Sequence, residues 1–178
     1  MKNVFVLLVF ALLASPGLAQ DQAAVARAGA GCGPDKVPFE VATHKKQHPE
    51  AKTEAGKALV YVFEDEKRDP NQRLGNVTIR IGLDGKWVGA NHGKSYFFFP
   101  VDPGEHALCA NWQSSFRMYS KLASAASLTA EAGKVYYFQA SVEERTNYPP
   151  GVKVEAVDPA EEQLLVAGSA LSSSHPKQ

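Results

Sequence analysis

After its first residues this chain has no apolar run near the roughly 20 residues that a membrane-spanning helix needs. It holds only two cysteines, Cys32 and Cys109, and no Cys-x-x-Cys, so neither a dithiol redox motif nor a cysteine-built zinc site is indicated. Charge of one sign is missing as well. The 19 lysines and arginines balance 19 aspartates and glutamates, without long single-sign blocks, and no electrostatic case exists for nucleic acid or an anionic membrane surface. His-Glu-x-x-His, Gly-x-Ser-x-Gly, a phosphate-cradling glycine loop and a dinucleotide fingerprint are all absent. The expectation is a protein that is not an enzyme and uses no cofactor.

What is present begins with an export signal. Lys2 supplies a positive start, Val4–Leu13 an apolar core, Ser15-Pro16-Gly17 a break, and Gly17-Leu18-Ala19 the small residues that a signal peptidase reads. Residues 1–19 are therefore expected to be a signal peptide, and the protein periplasmic or secreted. No cysteine stands at the cleavage point, which argues against a lipid anchor. In an oxidising compartment Cys32 and Cys109 are expected to pair.

Residues 20–56 read as a partly ordered leader carrying Cys32, with one short extended candidate at Phe39–Val41. The leader also holds His44-x-x-x-His48, a spacing that zinc sites use on a helix. Lys45 and Lys46 lie between these histidines, Pro49 follows, and no apolar helical face supports them. They read as solvated loop histidines, weak metal candidates without a third ligand nearby.

Residues 57–171 carry the domain. Lys57–Glu64 (KALVYVFE) is apolar on both faces, as a strand covered on two sides is. Asn76–Leu83 alternates, with Val77, Ile79, Ile81 and Leu83 inward and Thr78 and Arg80 outward. Asp84-Gly85 is a hairpin signal, since both turn positions need positive φ. It leads into Lys86–Val88, and Ala90–Gly93 reads as a second turn. Tyr96–Phe99 is an aromatic strand, and Asp102-Pro103-Gly104 a further turn. After it, Leu108, Ala110 and Trp112 face the core with His106, while Cys109 projects from the other face, where the leader can be stapled. Leu122–Leu128 is read as a strand in preference to an alanine-rich helix, and Lys134–Val142 as a strand with Tyr136, Phe138, Ala140 and Val142 inward. Glu143–Gly151 reads as a long prolyl loop and Val152–Ala156 as the last strand. Asp158-Pro159-Ala160-Glu161 opens the one helix, extending to Ser169–Leu171 with Leu164, Leu165 and Leu171 on the sheet edge. Residues 172–178 are expected to form a disordered tail.

The pattern describes an all-β domain, a small antiparallel sandwich of about seven strands with one short C-terminal helix. The order KALVYVFE, VTIRIGLDGKWVG, KSYFFFPVDPGEHAL, LTAEAGKVYYFQASV resembles the bacterial family called domain of unknown function 2846. Pro103–His106 and Gly133–Tyr137 carry most of that likeness. The central Asp84-Gly85…Gly89 and Pro103-Gly104 elements are also similar to the surface-associated PEGA module. The resemblance spans roughly Lys57–Ala156 and implies an exported or envelope β-sandwich, Ig-like or PEGA-like, with no activity to carry over.

The expected function is a non-catalytic exported binding module of the bacterial envelope, contacting a protein or a glycan. Trp87, Tyr96 and Tyr148 are its candidate surface aromatics. The alternatives are an envelope assembly component pairing through an open sheet edge, and a metal-dependent or hydrolytic enzyme using His44, His48, His92 or His106.

Overall fold

A computed structural model of the chain describes residues 32–34, 37–64, 77–145 and 148–177. The expected signal peptide, the leader up to residue 31 and the charged loop after Glu64 lie outside these residues.

Among the described residues ten strands form two sheets. They are β1 (Phe39–His44), β2 (Ala58–Glu64), β3 (Thr78–Leu83), β4 (Lys86–His92), β5 (Ser95–Val101), β6 (Gly104–Gln113), β7 (Ala123–Ala130), β8 (Val135–Arg145), β9 (Tyr148–Ala156) and β10 (Ala170–Pro176). The larger sheet runs β1-β10-β5-β2-β8-β9 and the smaller β4-β3-β6-β7. Most pairs are antiparallel, but β2–β8 and β10–β5 are parallel.

Between the sheets lies the main core. Val60 and Val62 from β2, Ile79 and Ile81 from β3, Leu108, Ala110 and Trp112 from β6, and Phe138 and Ala140 from β8 interlock there. The expected inward residues of these strands therefore face the core. A second cluster covers the opposite face of the larger sheet, where Leu59, Tyr61, Phe63, Tyr96 and Tyr137 pack under Leu165 and Val166. This explains why every residue of β2 is buried. Its two apolar faces serve two different layers.

The hairpin between β3 and β4 forms as its sequence requires, with Asp84 at φ 50° and Gly85 at φ 79°. Four expectations need correction. The Ala90–Gly93 turn is instead the end of β4, because Asn91 is buried and its side-chain amide donates to the Val62 carbonyl at 2.9 Å. The turn falls one step later, at Gly93-Lys94. The prolyl loop is instead a hairpin, with Arg145 opposite Tyr148 and the prolines within β9. Because β9 ends the sheet, the missing N–H groups of Pro149 and Pro150 can be tolerated there.

The third correction concerns the helix. A 3₁₀ turn, Pro159–Glu161, is capped by Asp158, whose carboxylate accepts from the Ala160 amide at 2.9 Å. It runs into helix α1, Glu162–Gly168, which stops before Ser169. Leu165 packs on the sheet as expected, Leu164 stays 78% exposed, and Leu171 belongs to the next strand. Fourth, the expected tail is β10. Its residues from Leu171 to Pro176 pair with the whole of β1, and Ala170 and Leu171 pair with β5. Its serines reach the other sheet: the Ser172 hydroxyl donates to the Ala90 carbonyl at 3.0 Å, and Ser174 Oγ accepts from the Ala90 amide at 2.9 Å. Polar side chains thus close this edge of the sandwich. At the opposite edge β7 packs against β9.

Candidate functional site

On the outer face of the smaller sheet, Gly82 of β3 stands opposite Cys109 of β6. Cys32 is disulfide-bonded to Cys109, with Cα atoms 5.1 Å apart, and its backbone crosses directly over Gly82. Only a residue without a side chain fits under that crossing. Residues 32–34 and 37–38 are thereby held as a strap across the outer face. Gln113 fixes its far end by bonding the Phe39 backbone on both sides, accepting from the amide at 2.6 Å and donating to the carbonyl at 2.9 Å.

Beside the strap lies a coupled group of Trp87, Arg80 and Asn111. The β3–β4 ladder shifts register between Ile81, opposite Gly89, and Gly82, opposite Trp87, leaving Val88 as an extra residue. Strict alternation would put Trp87 on the inner face with Asn91. The bulge turns it outward, onto the face of Arg80 and Gly82. Its indole Nε1 donates to the Pro34 carbonyl at 3.0 Å, and the Arg80 guanidinium lies 4.4 Å from the ring centroid. Arg80 also donates to Asn111 Oδ1, from Nε at 3.0 Å and again from Nη2, and to the Val37 carbonyl at 2.9 Å. It faces outward as expected, yet it is buried, beneath the strap. Asn111 completes the network by donating to the Ser120 and Leu122 carbonyls at 3.0 Å each, which fixes the chain leading into β7.

Strap, sheet and the 114–121 turn enclose a cleft of about 700 Å³. That lies inside the range of small-ligand pockets, roughly 300–1,000 Å³. The turn is built locally: Ser114 Oγ accepts from the Phe116 amide, and the Ser120 hydroxyl donates to the Arg117 carbonyl. Tyr119 anchors it by stacking on Trp112, with centroids 4.7 Å apart and planes 5° apart. The turn lines the cleft with Ser114, Arg117, Ser120 and Lys121, while Phe116, edge-on to Tyr119, and Met118 are 66% and 67% exposed outside that lining. Among the described lining residues Arg80, Arg117 and Lys121 are basic and none is acidic.

The aromatics named from sequence are distributed otherwise. Trp87 borders the cleft. Tyr96 is no surface residue: it is fully buried in the second cluster, 5.5 Å from the Phe63 ring, and its hydroxyl has no hydrogen-bond partner among the described residues. Tyr148 lies in β9, and its side chain is outside the described residues. His44 bonds Ser173 Oγ at 3.0 Å, whereas His48 stacks on Tyr96 at 6.4 Å, so the two do not share a site. His92 bonds Thr78 Oγ1 at 2.8 Å. His106 joins two turns, donating from Nδ1 to Asp84 Oδ2 at 2.6 Å and from Nε2 to the Asp102 carbonyl at 2.8 Å. No group of three or more metal-ligating side chains occurs among the described residues. No helix there is long and apolar enough to cross a membrane.

Both partners of His106 accept, so only the doubly protonated ring satisfies both. Burial opposes charging the ring, but Asp84 and the Asp102 carbonyl outweigh it and hold its pKa above the usual histidine value. Tyr137, Tyr61 and Tyr96 are pushed up in the second cluster, each chiefly by burial; for Tyr137 a bond to the Glu162 carboxylate adds to the effect.

Sequence reading missed Arg80, Arg117 and Lys121 as cleft residues, because none of them stands in a motif and the cleft joins segments distant in sequence.

Residues 54–156 match the family model described as protein of unknown function DUF2846, and this span covers more than half of the chain. The chain belongs to that family. No curated protein and no solved structure matches it.

Proposed function

We propose that this member of a family without an assigned activity is a non-catalytic binding module, exported to the bacterial cell envelope, whose site is the strapped cleft. The observation that carries this reading is the cleft's construction. Its floor is a sheet, one wall is tied by a disulfide, and the turn opposite lines it with Ser114, Arg117, Ser120 and Lys121.

The paired cysteines accord with an oxidising compartment, and with the signal-like residues 1–19. Non-catalytic action is supported by the histidines, since His44, His48, His92 and His106 are engaged in separate structural contacts. Assembly through an open sheet edge has less support, because β10 serines cover the β4 edge and β7 leans on β9.

Two measurements test the reading. N-terminal sequencing of the native protein should begin at Gln20, and a cytosolic protein starting at Met1 would sink export. A photoreactive residue replacing Ser114 in the cleft should form an adduct in the native compartment, while one replacing Ala132 on the β7–β8 turn should not. Adducts from neither position, or equally from both, would remove the cleft as the binding site.

A further inference from the structure

We propose that the turn between β6 and β7 docks on an anionic phospholipid surface. Phe116 and Met118 enter the boundary between headgroups and acyl chains, and Arg117 and Lys121 meet the phosphates. The inference does not need the cleft to hold a ligand, because Phe116 and Met118 lie outside the cleft's lining.

The first observation is a rigidly mounted apolar tip. Residues 115–118 are an unbroken exposed run, with Phe116 and Met118 at 66% and 67%. Phe116 sits edge-on to Tyr119, with ring centroids 5.9 Å apart, and Tyr119 stacks on Trp112 of the main core. Docking therefore requires no ordering of the tip, which removes one cost of binding.

The second is the state of the turn's backbone. Lipid offers no hydrogen bonds, so a segment that enters it must bring its polar backbone groups already satisfied. The Phe116 carbonyl accepts from the Tyr119 and Ser120 amides at 3.0 Å each, and the Tyr119 carbonyl from the Leu122 amide at 2.9 Å. The Ser120 hydroxyl donates to the Arg117 carbonyl, Asn111 to the Ser120 carbonyl, and the Phe116 amide to Ser114 Oγ. The turn thus closes these groups on itself and on the sheet, and leaves the two apolar side chains outermost.

Charge selects the kind of surface. The chain as a whole is neutral and gives no case for an anionic membrane, but no acidic residue lies between Glu105 and Glu131 in sequence. Arg117 and Lys121 are both exposed, and neither is ion-paired among the described residues. Long basic side chains lay their stems along an apolar layer while their charged heads reach phosphate. Such cations add to the affinity that apolar insertion supplies. Leu164 shows the contrast. It is 78% exposed, but it follows Glu161 and Glu162, and its helix carries no basic residue. Size argues in the same direction. Two apolar side chains and two cations fall far short of the roughly 20–30 residues a side of a stable protein–protein interface.

The test uses the native oxidised protein and extruded vesicles, either of phosphatidylcholine alone or of phosphatidylcholine and phosphatidylglycerol in equal parts. Binding is read by flotation at about 100 mM salt, where the Debye length is about 10 Å. The anionic vesicles should bind at least about tenfold more tightly than the zwitterionic ones. Phe116→Ser combined with Met118→Ser should weaken that binding at least about tenfold. Arg117→Gln combined with Lys121→Gln should reduce it to the zwitterionic level. Leu164→Ser and Lys134→Gln should leave it unchanged. All six positions are exposed, so unchanged melting confirms that each variant is folded. Insertion has its own readout: bromine on the acyl chains should quench the indole of Phe116→Trp and not that of Leu164→Trp.

Absence of vesicle binding overturns the proposal. Binding that survives the double serine change, as attachment through residues 1–19 would, overturns it too, and so does indifference to the double glutamine change. Self-association in sedimentation, abolished by Phe116→Ser, assigns the tip to a second copy and also overturns it. The Ser114 cross-linker reads the cleft separately. A cleft adduct without vesicle binding removes this inference alone, whereas vesicle binding without an adduct removes only the cleft reading.

Discussion

The carbonyl oxygen of Cys32 lies over the Cα of Gly82, where an added side-chain carbon would stand 1.8 Å from it. The two residues are joined through a third, because Gly82 faces Cys109 across the ladder and Cys109 holds Cys32. One missing methyl group therefore decides whether the strap can close. Gly82→Ala should destabilise the oxidised protein by roughly 1–3 kcal/mol, the usual cost of overpacking. In a Cys32→Ser background the strap can lift, and the penalty should shrink. Urea unfolding of the four proteins of this cycle measures the coupling. An unchanged penalty would mean that the strap is not what excludes a side chain at residue 82.

The disulfide links residues 77 apart in sequence. Restricting an unfolded loop of that size contributes up to about 4–5 kcal/mol in the chain-entropy model, and commonly about 2–4. Reductant should lower the melting temperature of the native protein, while Cys32→Ser should start low and not respond. Identical melting with and without reductant would show that the bond adds nothing.

His106 should make stability depend on pH near neutrality. Its folded pKa is raised, so its contribution is complete below the unfolded value of about 6.5 and is lost as pH rises through the folded value. Beyond that point the ring has one proton for two acceptors, Asp84 and the Asp102 carbonyl. His106→Gln should flatten this part of the profile, as seen in denaturant midpoints between pH 5 and pH 9. A profile of the same shape in the variant would reject the assignment.

Tyr137 predicts a second, alkaline limb. Burial first, then the bond to Glu162, raises its pKa above the usual tyrosine value. Its contribution is therefore present below about pH 10, the unfolded value, and declines as pH climbs further. Tyr137→Phe removes the bond tying the sheet to α1. It should cost about 1 kcal/mol near neutrality and soften the alkaline decline. No change at either pH would show that the bond does not hold the helix.

How much of this was legible differs by element. Residues Val77–Leu83 and Leu108–Trp112 were read correctly because a strand with one core face prints its geometry as alternation. The two apolar faces of β2 announced two layers, though not that a short helix would supply the second. In β10, ALSSSHP, the alternation of buried and exposed residues uses serine, and its stabilising contacts are hydroxyls on a backbone 82 residues away. No hydropathy pattern reports such a contact, so the stretch read as a tail. The strand count rose to ten for the same reason, with the polar β1 as its partner.

The site was less legible than the fold. Tyr96 and Trp87 look alike as sequence features, aromatic residues close together among glycines and strand residues. Tyr96 is buried because α1 and its neighbours cover that face of the sheet, which is a long-range event. Trp87 reaches the cleft through a one-residue bulge, and a shift of one residue exchanges the faces of a strand.

By itself the sequence determined the all-β class, the Asp84-Gly85 hairpin, the inward faces of the central strands and the face from which Cys109 projects. These follow from local sterics and from the period-two geometry of a strand, which neighbouring residues fully specify. The tertiary structure alone decided the cleft. Its parts, Cys32 over Gly82, Arg80 against Trp87 and Asn111, and the turn bearing Arg117 and Lys121, come from segments distant in sequence. They meet only through a disulfide, a bulge and the packing of one sheet on the other, none of which has a local signature.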